Sequence, residues 1–329
     1  MIAPYRHVGA SRDHRAGFAA VSGSVPAYAR RVGFNEVANR VFALYDSGEY
    51  GEALTVVQNA RSEYPEQDND LTFWEACLLA RIDRSEEALS VLAGGLDRGQ
   101  WWPSGRLADA DLHPVRHLSG WGRVAERCAE FTEERMAHRP SPVLRSTATP
   151  AGTIVAIQGA EADQQAVAST WAAATPDSWT VIVPAGAEPL ASGGWAWPHS
   201  IEAGARSVKI DIEHLSLDRP LVLTGFSIGS VIACHLITSE ALPVDGLIAV
   251  APSSRSNFDE LRTCAGMGMP SLIICGDQDT RRAKYSELQA DIGGEPNVTI
   301  DMVEGLEHAH PLDLDRRVLG FLETLDPNP

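Results

Sequence analysis

The stretch Pro220-Leu221-Val222-Leu223-Thr224-Gly225-Phe226-Ser227-Ile228-Gly229 decides how the rest of the chain is read. A run of apolar, largely β-branched residues ends at Gly225, and an amphipathic helical pattern begins just beyond Ser227. That is a strand, a sharp turn and a helix, with Ser227 at the apex. The spacing G-x-S-x-G has a steric reason. The serine occupies a strained turn that lifts its hydroxyl above the sheet, so the positions two before and two after it must lack bulk. Gly225 and Gly229 meet that need. The N–H of Ile228 then points at a substrate beside the positive end of the helix, as an oxyanion donor should. A lone G-x-S-x-G recurs by chance, and the bland alternative is a glycine-rich turn with a serine helix cap. The strand–turn–helix setting favours a nucleophile.

Outward from this turn, short β-branched runs alternate with amphipathic segments. Strands are expected at Thr153–Gln158, Trp179–Pro184, Leu221–Phe226, Gly246–Ala251, Leu272–Gly276 and Val298–Val303. Helices fit at about 163–174, 199–216, 228–239, 257–266, 281–292 and 313–325. The strands are nearly continuous apolar runs, as when helices cover both faces of a sheet. The alternation predicts an α/β domain over 153–326, with a doubly wound, mostly parallel sheet.

Residues 153–325 resemble the α/β-hydrolase superfamily, and are most similar to its carboxylesterase, phospholipase and thioesterase branch. Gly225-Phe226-Ser227-Ile228-Gly229-Ser230, Leu242-Pro243-Val244 with Gly246, and Ala249-Val250-Ala251-Pro252-Ser253 carry the resemblance. A serine hydroxyl needs a base, and the base an orienting carboxylate. In this fold they follow in the order Ser, acid, His. After the strand at 272–276 stands Gly276-Asp277-Gln278-Asp279, where the family's Gly-x-x-Asp pattern favours Asp279 over Asp277. Both would otherwise be turn carboxylates capping the next helix. After the last strand stands Glu304-Gly305-Leu306-Glu307-His308-Ala309-His310, where a Gly-x-x-His pattern implies His308 as base, with His310 as competitor. His308 and His310 also read as a metal pair, but no third ligand has recognisable spacing. No metal or organic cofactor is expected.

The resemblance places the second oxyanion donor after the first strand, at the N–H of Ala160. Many members carry His-Gly there, and this chain has Gln158-Gly159. Gly193-Gly194-Trp195-Ala196-Trp197 resembles a Gly-aromatic-x-Trp segment of the same branch. Trp195 and Trp197 either wall a substrate pocket or cap the sheet edge. Only about 20 residues separate Ala251 from the next strand, too few for a large lid. The site is therefore expected to be open or covered by N-terminal helices, with Trp101 and Trp102 as candidates for that cover.

Upstream, residues 33–138 read as helical. Gly48-Glu49-Tyr50-Gly51-Glu52-Ala53-Leu54 with Val57, Ala60 and Pro65 resembles a tetratricopeptide (TPR) unit, and Glu87-Ala88-Leu89 with Leu92 repeats it in part. Ala53 and Ala88 would let paired helices approach closely, and Gly48 and Pro65 would end helices. Two such units cannot bury a core alone. This implies an all-α TPR-like domain and a protein partner as one role for it. Residues 139–152, with Pro140, Pro142, Pro150 and Gly152, read as a linker, and 1–32 as a flexible N-terminal arm. In that arm Arg12 and Arg15 precede a mildly apolar stretch ending in Ala27-Tyr28-Ala29, which resembles a signal cleavage site. Ser22, Gly23, Ser24 and Pro26 interrupt it, which favours the arm.

Composition excludes some classes. A net charge of −17 over 329 residues repels phosphate backbones, so nucleic acid is not an expected partner. Mean hydropathy is −0.12, and no run is long enough to span a membrane. The five cysteines, Cys77, Cys128, Cys234, Cys264 and Cys275, form no C-x-x-C pair, and a cytoplasmic protein with reduced thiols is expected. The functional expectation is a serine esterase acting on a small-molecule acyl substrate, a carboxylic ester or thioester. The alternatives are a peptidase or carrier-linked thioesterase, or a non-catalytic interaction protein on a hydrolase scaffold. Ester, thioester and amide share one tetrahedral intermediate, so all three stay open at this point.

Overall fold

A computed structural model describes residues 27–191, 194–198, 200–239 and 242–325. The chain divides into two compact units, Met1–His138 with Pro189–Gly193, and Arg139–Glu188 with Gly194–Pro329.

The first unit is helical: α1 (Ala27–Asp46), α2 (Tyr50–Ala60), α3 (Asp68–Arg81), α4 (Ser85–Asp97) and α5 (Trp121–Met136). Helix α2 buries Ala53, Leu54, Val57 and Ala60, a single stripe at helical spacing. Helix α3 is buried from Leu71 to Ala80 and is the centre of the unit's core. Ala53 and Ala88 are fully buried, as small residues at close helix contacts should be. Gly48 ends α1 at φ +79°, a conformation costly for any residue with a Cβ.

Two expectations change here. Residues 27–32, read as part of the arm, belong to α1, while residues 1–26, including most of the signal-like stretch, lie outside the described residues. Trp101 and Trp102, the candidates for a cover, are core residues of the helical unit, 5% and 0% exposed. A Cβ on Gly95 would lie 2.7 Å from the Trp102 ring, so the glycine makes room for the indole.

The second unit is built on seven strands: β1 (Val143–Arg145), β2 (Gly152–Ile157), β3 (Trp179–Val183), β4 (Leu221–Phe226), β5 (Gly246–Val250), β6 (Ser271–Gly276) and β7 (Val298–Val303). Their order is β1-β3-β2-β4-β5-β6-β7, parallel throughout except for β1, which runs antiparallel to β3. The helices are α6 (Gln164–Ala174), α7 (Ile201–Ile212), α8 (Ile228–Thr238), α9 (Asp259–Gly266), α10 (Arg282–Ile292) and α11 (Leu314–Glu323). Successive strand residues face opposite sides. Val155 and Ile157 pack with α7 to α10, and Ile154 and Ala156 with α6 and α11. Both faces are covered, which explains why the inner strands lack polar alternation. Between β5 and β6 lie only a short turn at Arg255–Phe258 and α9.

The stretch 139–152, expected as a linker, is tied into this unit. Arg139 makes a bidentate pair with the buried Asp211, at 2.7 and 2.8 Å, and donates to the carbonyls of Ala185 and Gly186. Arg145, on β1, donates to the carbonyls of Ala172 and Pro176. These two arginines convert a proline-rich segment into an edge strand. All five cysteines are buried free thiols. No helix among the described residues is long and apolar enough to cross a membrane.

Candidate active site

Strand β4 delivers Ser227 to the C-terminal edge of the sheet, and α8 starts at the next residue. Ser227 has φ 54° and ψ −118°, a strained backbone for a residue with a Cβ. The turn is tight enough to demand both glycines. A Cβ on Gly225 would lie 2.2 Å from the carbonyl carbon of Gly229, and one on Gly229 would lie 2.3 Å from the Ile157 oxygen. Two backbone bonds hold the apex: Ser227 N–H donates to Val250 O at 2.9 Å, and Ser253 N–H donates to Ser227 O at 3.1 Å. Ser227 is half-buried, and Ile228, whose N–H opens the helix, is 8% exposed.

The loops after β6 and β7 meet. A Cβ on Gly276 would lie 2.0 Å from Leu306 O, Gln278 N–H donates to that same oxygen, and Asp277 Oδ1 accepts from Gly305 N–H. This contact separates the two aspartates. Asp277 holds the backbone of the histidine loop. Asp279 faces the imidazole, with its Oδ2 2.6 Å from His308 Nδ1. A contact that short to a carboxylate assigns the proton to Nδ1. Asp279 Oδ2 also accepts from Tyr285 Oη at 3.0 Å, and Oδ1 accepts from Arg281 N–H at 2.9 Å. Burial alone would raise the Asp279 carboxyl. The bonds from His308 and Arg281 and their charges outweigh it and bring the group down to about 2.

Burial lowers the His308 imidazole, and the Asp279 bond only partly opposes this. Its Nε2 is buried and has no hydrogen-bond partner among the described residues, Ser227 Oγ included. The His308 ring lies 5.0 Å from the ring of Phe226, the residue before Ser227. His310 stacks on the same Phe226 at 4.6 Å and meets Trp171 edge-on. Burial, then the neighbouring His308, pushes His310 down to about 4. The carboxylate therefore sits on His308, and aromatic rings surround its competitor.

Gln158-Gly159-Ala160 follows β2. Gln158 Nε2 donates to Trp195 O at 2.7 Å, and Gln158 O accepts from Trp197 Nε1 at 3.0 Å. The adjoining Glu161–Ala162 pairs with Trp195–Ala196. Gly159 lets the loop approach Phe226, since a Cβ there would lie 3.0 Å from that ring. Ala160 is thus carried on a loop pinned from both sides. Trp195 and Trp197 are 7% and 3% exposed, and the Trp195 carbonyl and the Trp197 indole N–H are what hold this loop.

A parallel sheet, a strained serine between two obligatory glycines, and an acid and a histidine after the next-to-last and last strands complete one pattern. The second unit has the α/β-hydrolase fold.

No protein-family model matches the chain, and no curated protein matches it. Among solved structures it is similar to an uncharacterized protein from Bacillus cereus ATCC 10987, at 20% identity over 88% of this chain and 98% of that one, with a TM-score of 0.47. It is similar to Zea mays acyl-protein thioesterase 2 at 16% identity over 56% of this chain and 99% of that one, with a TM-score of 0.44. It is also similar to esterase PE8 at 17% identity over 56% and 99%, with a TM-score of 0.43. The fold rests on the chain's own sheet order and elbow, not on these likenesses.

Three residues around the α/β-hydrolase elbow have contacts that the sequence does not show. Phe226 touches both histidines, and Arg281 and Tyr285 both bond Asp279. Arg281 and Tyr285 read there as ordinary residues at the start of an amphipathic helix.

Proposed function

We propose that this chain is a serine hydrolase that cleaves a carboxylic ester or thioester through an acyl-enzyme on Ser227. The observation that carries the reading is His308, which has a 2.6 Å bond to Asp279 on one ring nitrogen while the other is buried and has no partner among the described residues. A histidine held this way is a base with its tautomer chosen and its acceptor nitrogen kept for a substrate-side proton.

His308 Nε2 takes the Ser227 Oγ proton as Oγ bonds to the acyl carbon. The backbone N–H groups of Ile228 and Ala160 stabilise the oxyanion. The tetrahedral intermediate collapses, the alcohol or thiol leaves with the proton from His308, and an acyl-Ser227 remains. Water then attacks, giving its proton to His308, and the acid departs as Ser227 recovers its hydrogen. Asp279 stays ionised throughout and holds Nδ1–H. The bond between serine and histidine is often long in resting hydrolases and tightens when substrate binds. The helical unit is proposed to dock a protein partner, and a carrier-linked acyl group is the substrate that such docking would favour.

The test is fluorophosphonate labelling of the full chain, with mass spectrometry to locate the adduct. A single adduct on Ser227, lost in His308→Ala, is the expected result. Absence of an adduct while a control hydrolase reacts would reject the reading. A panel of p-nitrophenyl esters, acyl-CoA and aminoacyl amides then distinguishes esterase, thioesterase and peptidase.

A further inference from the structure

The Asp279 side chain is completely shielded from solvent, and besides His308 its oxygens are approached by Arg281, by Tyr285 and, at 3.5 Å, by the Thr280 hydroxyl. Oδ1 takes the Arg281 backbone N–H at 2.9 Å and the Arg281 guanidinium at 3.2 Å. Oδ2 takes the Tyr285 hydroxyl at 3.0 Å. Neither side chain is needed to complete a serine, histidine and carboxylate. Tyr285 is fully buried on α10, and its single hydroxyl proton is shared between Asp279 Oδ2 and Pro252 O, which lies 3.1 Å away. The next residue, Ser253, donates its N–H to Ser227 O. A chain of contacts thus runs from the carboxylate through the phenol and the 252–253 backbone to the elbow itself.

The guanidinium has a second neighbour, since Arg281 Nη1 lies 2.8 Å from His308 Nδ1. One ring nitrogen cannot donate to Asp279 and accept from Arg281 at once. The carboxylate is the nearer and the charged acceptor, so Nδ1 carries the proton. Arg281 then stands beside it as a cation, not as a hydrogen-bond partner.

Building on the serine-hydrolase reading, we propose that Tyr285 and Arg281 are positioning residues that clamp Asp279 against His308 and tie it to the serine turn. The groups facing this pair are few. Asp279, Arg281 and His310 face His308, while Tyr285, Cys275 and Arg281 face Asp279. The phenol and the cation both draw on the negative charge of Asp279, and the cation also opposes a charge on the imidazole. Both therefore favour neutral His308, the form that accepts the serine proton. Removing either donor leaves more of the carboxylate's charge to hold an imidazolium.

The experiment measures the rate of fluorophosphonate labelling at Ser227 against pH in wild type, Tyr285→Phe and Arg281→Gln. The imidazole of His308 is titrated by NMR in the same proteins. Each variant is expected to label roughly tenfold more slowly, the scale of one hydrogen bond to a charged group. Each is also expected to move the acid-side midpoint to higher pH, with the NMR midpoint moving alike. Wild-type rates and midpoints would overturn the inference. So would slower labelling with unmoved midpoints, which marks a packing role alone. Should Tyr285→Phe not fold, Arg281→Gln decides, because its side chain is 23% exposed and outside the core. If wild type does not label, the hydrolase reading fails, and the NMR midpoints still test the clamp without catalysis.

Discussion

Gly229 stands so close to Ile157 that a Cβ on it would lie 2.3 Å from the Ile157 carbonyl oxygen. The first turn of the serine-bearing helix therefore packs directly on the end of the neighbouring strand, with backbone against backbone. No side chain is available there to yield. Gly229→Ala is expected to destabilise the protein by at least about 1–3 kcal/mol, as overpacking does. It is also expected to abolish labelling of Ser227. Thermal melting and adduct yield measure the two effects, and a soluble, normally labelled Gly229→Ala protein would contradict the geometry.

Ser227→Ala removes only a half-buried hydroxyl. The expected result is a fold of unchanged melting behaviour and ester hydrolysis reduced by roughly 10³-fold or more. Circular dichroism with p-nitrophenyl ester turnover checks both. Residual turnover near wild type would place the reactive group elsewhere.

Acid should weaken this protein in two stages. His310 is lowered from 6.5 to about 4, so the unfolded chain takes up a proton before the folded one does. Its contribution to stability is complete above about pH 6.5 and is lost as pH falls toward 4, by as much as about 3 kcal/mol. Asp279, lowered from 3.8 to about 2, adds a second loss that begins below the first and ends near pH 2. Urea unfolding at several pH values should show the upper stage shrink in His310→Phe to the part that belongs to His308, which burial also lowers, while the lower stage persists. An unchanged upper stage in that variant would assign it to another group.

Trp197 Nε1 is a donor to Gln158 O on the loop that carries Ala160. Trp197→Phe keeps most of the buried ring and deletes that bond. The expected outcome is a fall in kcat of roughly tenfold with little change in KM, since a misplaced oxyanion donor acts on the transition state. A change confined to KM would instead make the indole part of the substrate's binding surface.

Helix packing in the first unit predicts a stability effect without a catalytic one. Ala88 is completely buried on α4. Ala88→Leu is expected to cost about 1–3 kcal/mol through overpacking, and Ser227 should still label at temperatures where the variant is folded.

How much of this was legible in the sequence depends on the range of the interaction. Strands β4 and β5 lie at Leu221–Phe226 and Gly246–Val250, as their apolar runs indicate, because doubly covered strands have little freedom in composition. The preference for Asp279 over Asp277, and for His308 over His310, came from motif spacing. The structure sets Asp279 against His308 and gives Asp277 a backbone to hold. What stayed hidden depends on distant partners. Strand β1 has three residues in a proline-rich stretch, and it is ordered by arginines whose acceptors lie tens of residues away. Tyr285 is an unremarkable helix residue until the fold brings Pro252 O and Asp279 to its hydroxyl. The burial of Trp101 and Trp102 was hidden for the same reason, since an aromatic pair beside a proline reads alike whether it lines a cleft or fills a core.

The burial of every thiol has a practical use. While folded, the molecule behaves toward maleimides and disulfide reagents as though it held no cysteine. One cysteine introduced on the surface would then accept a fluorophore or spin label selectively in the native state. The five native thiols would respond only when their surroundings open, which makes their alkylation a residue-resolved clock for local unfolding in both units.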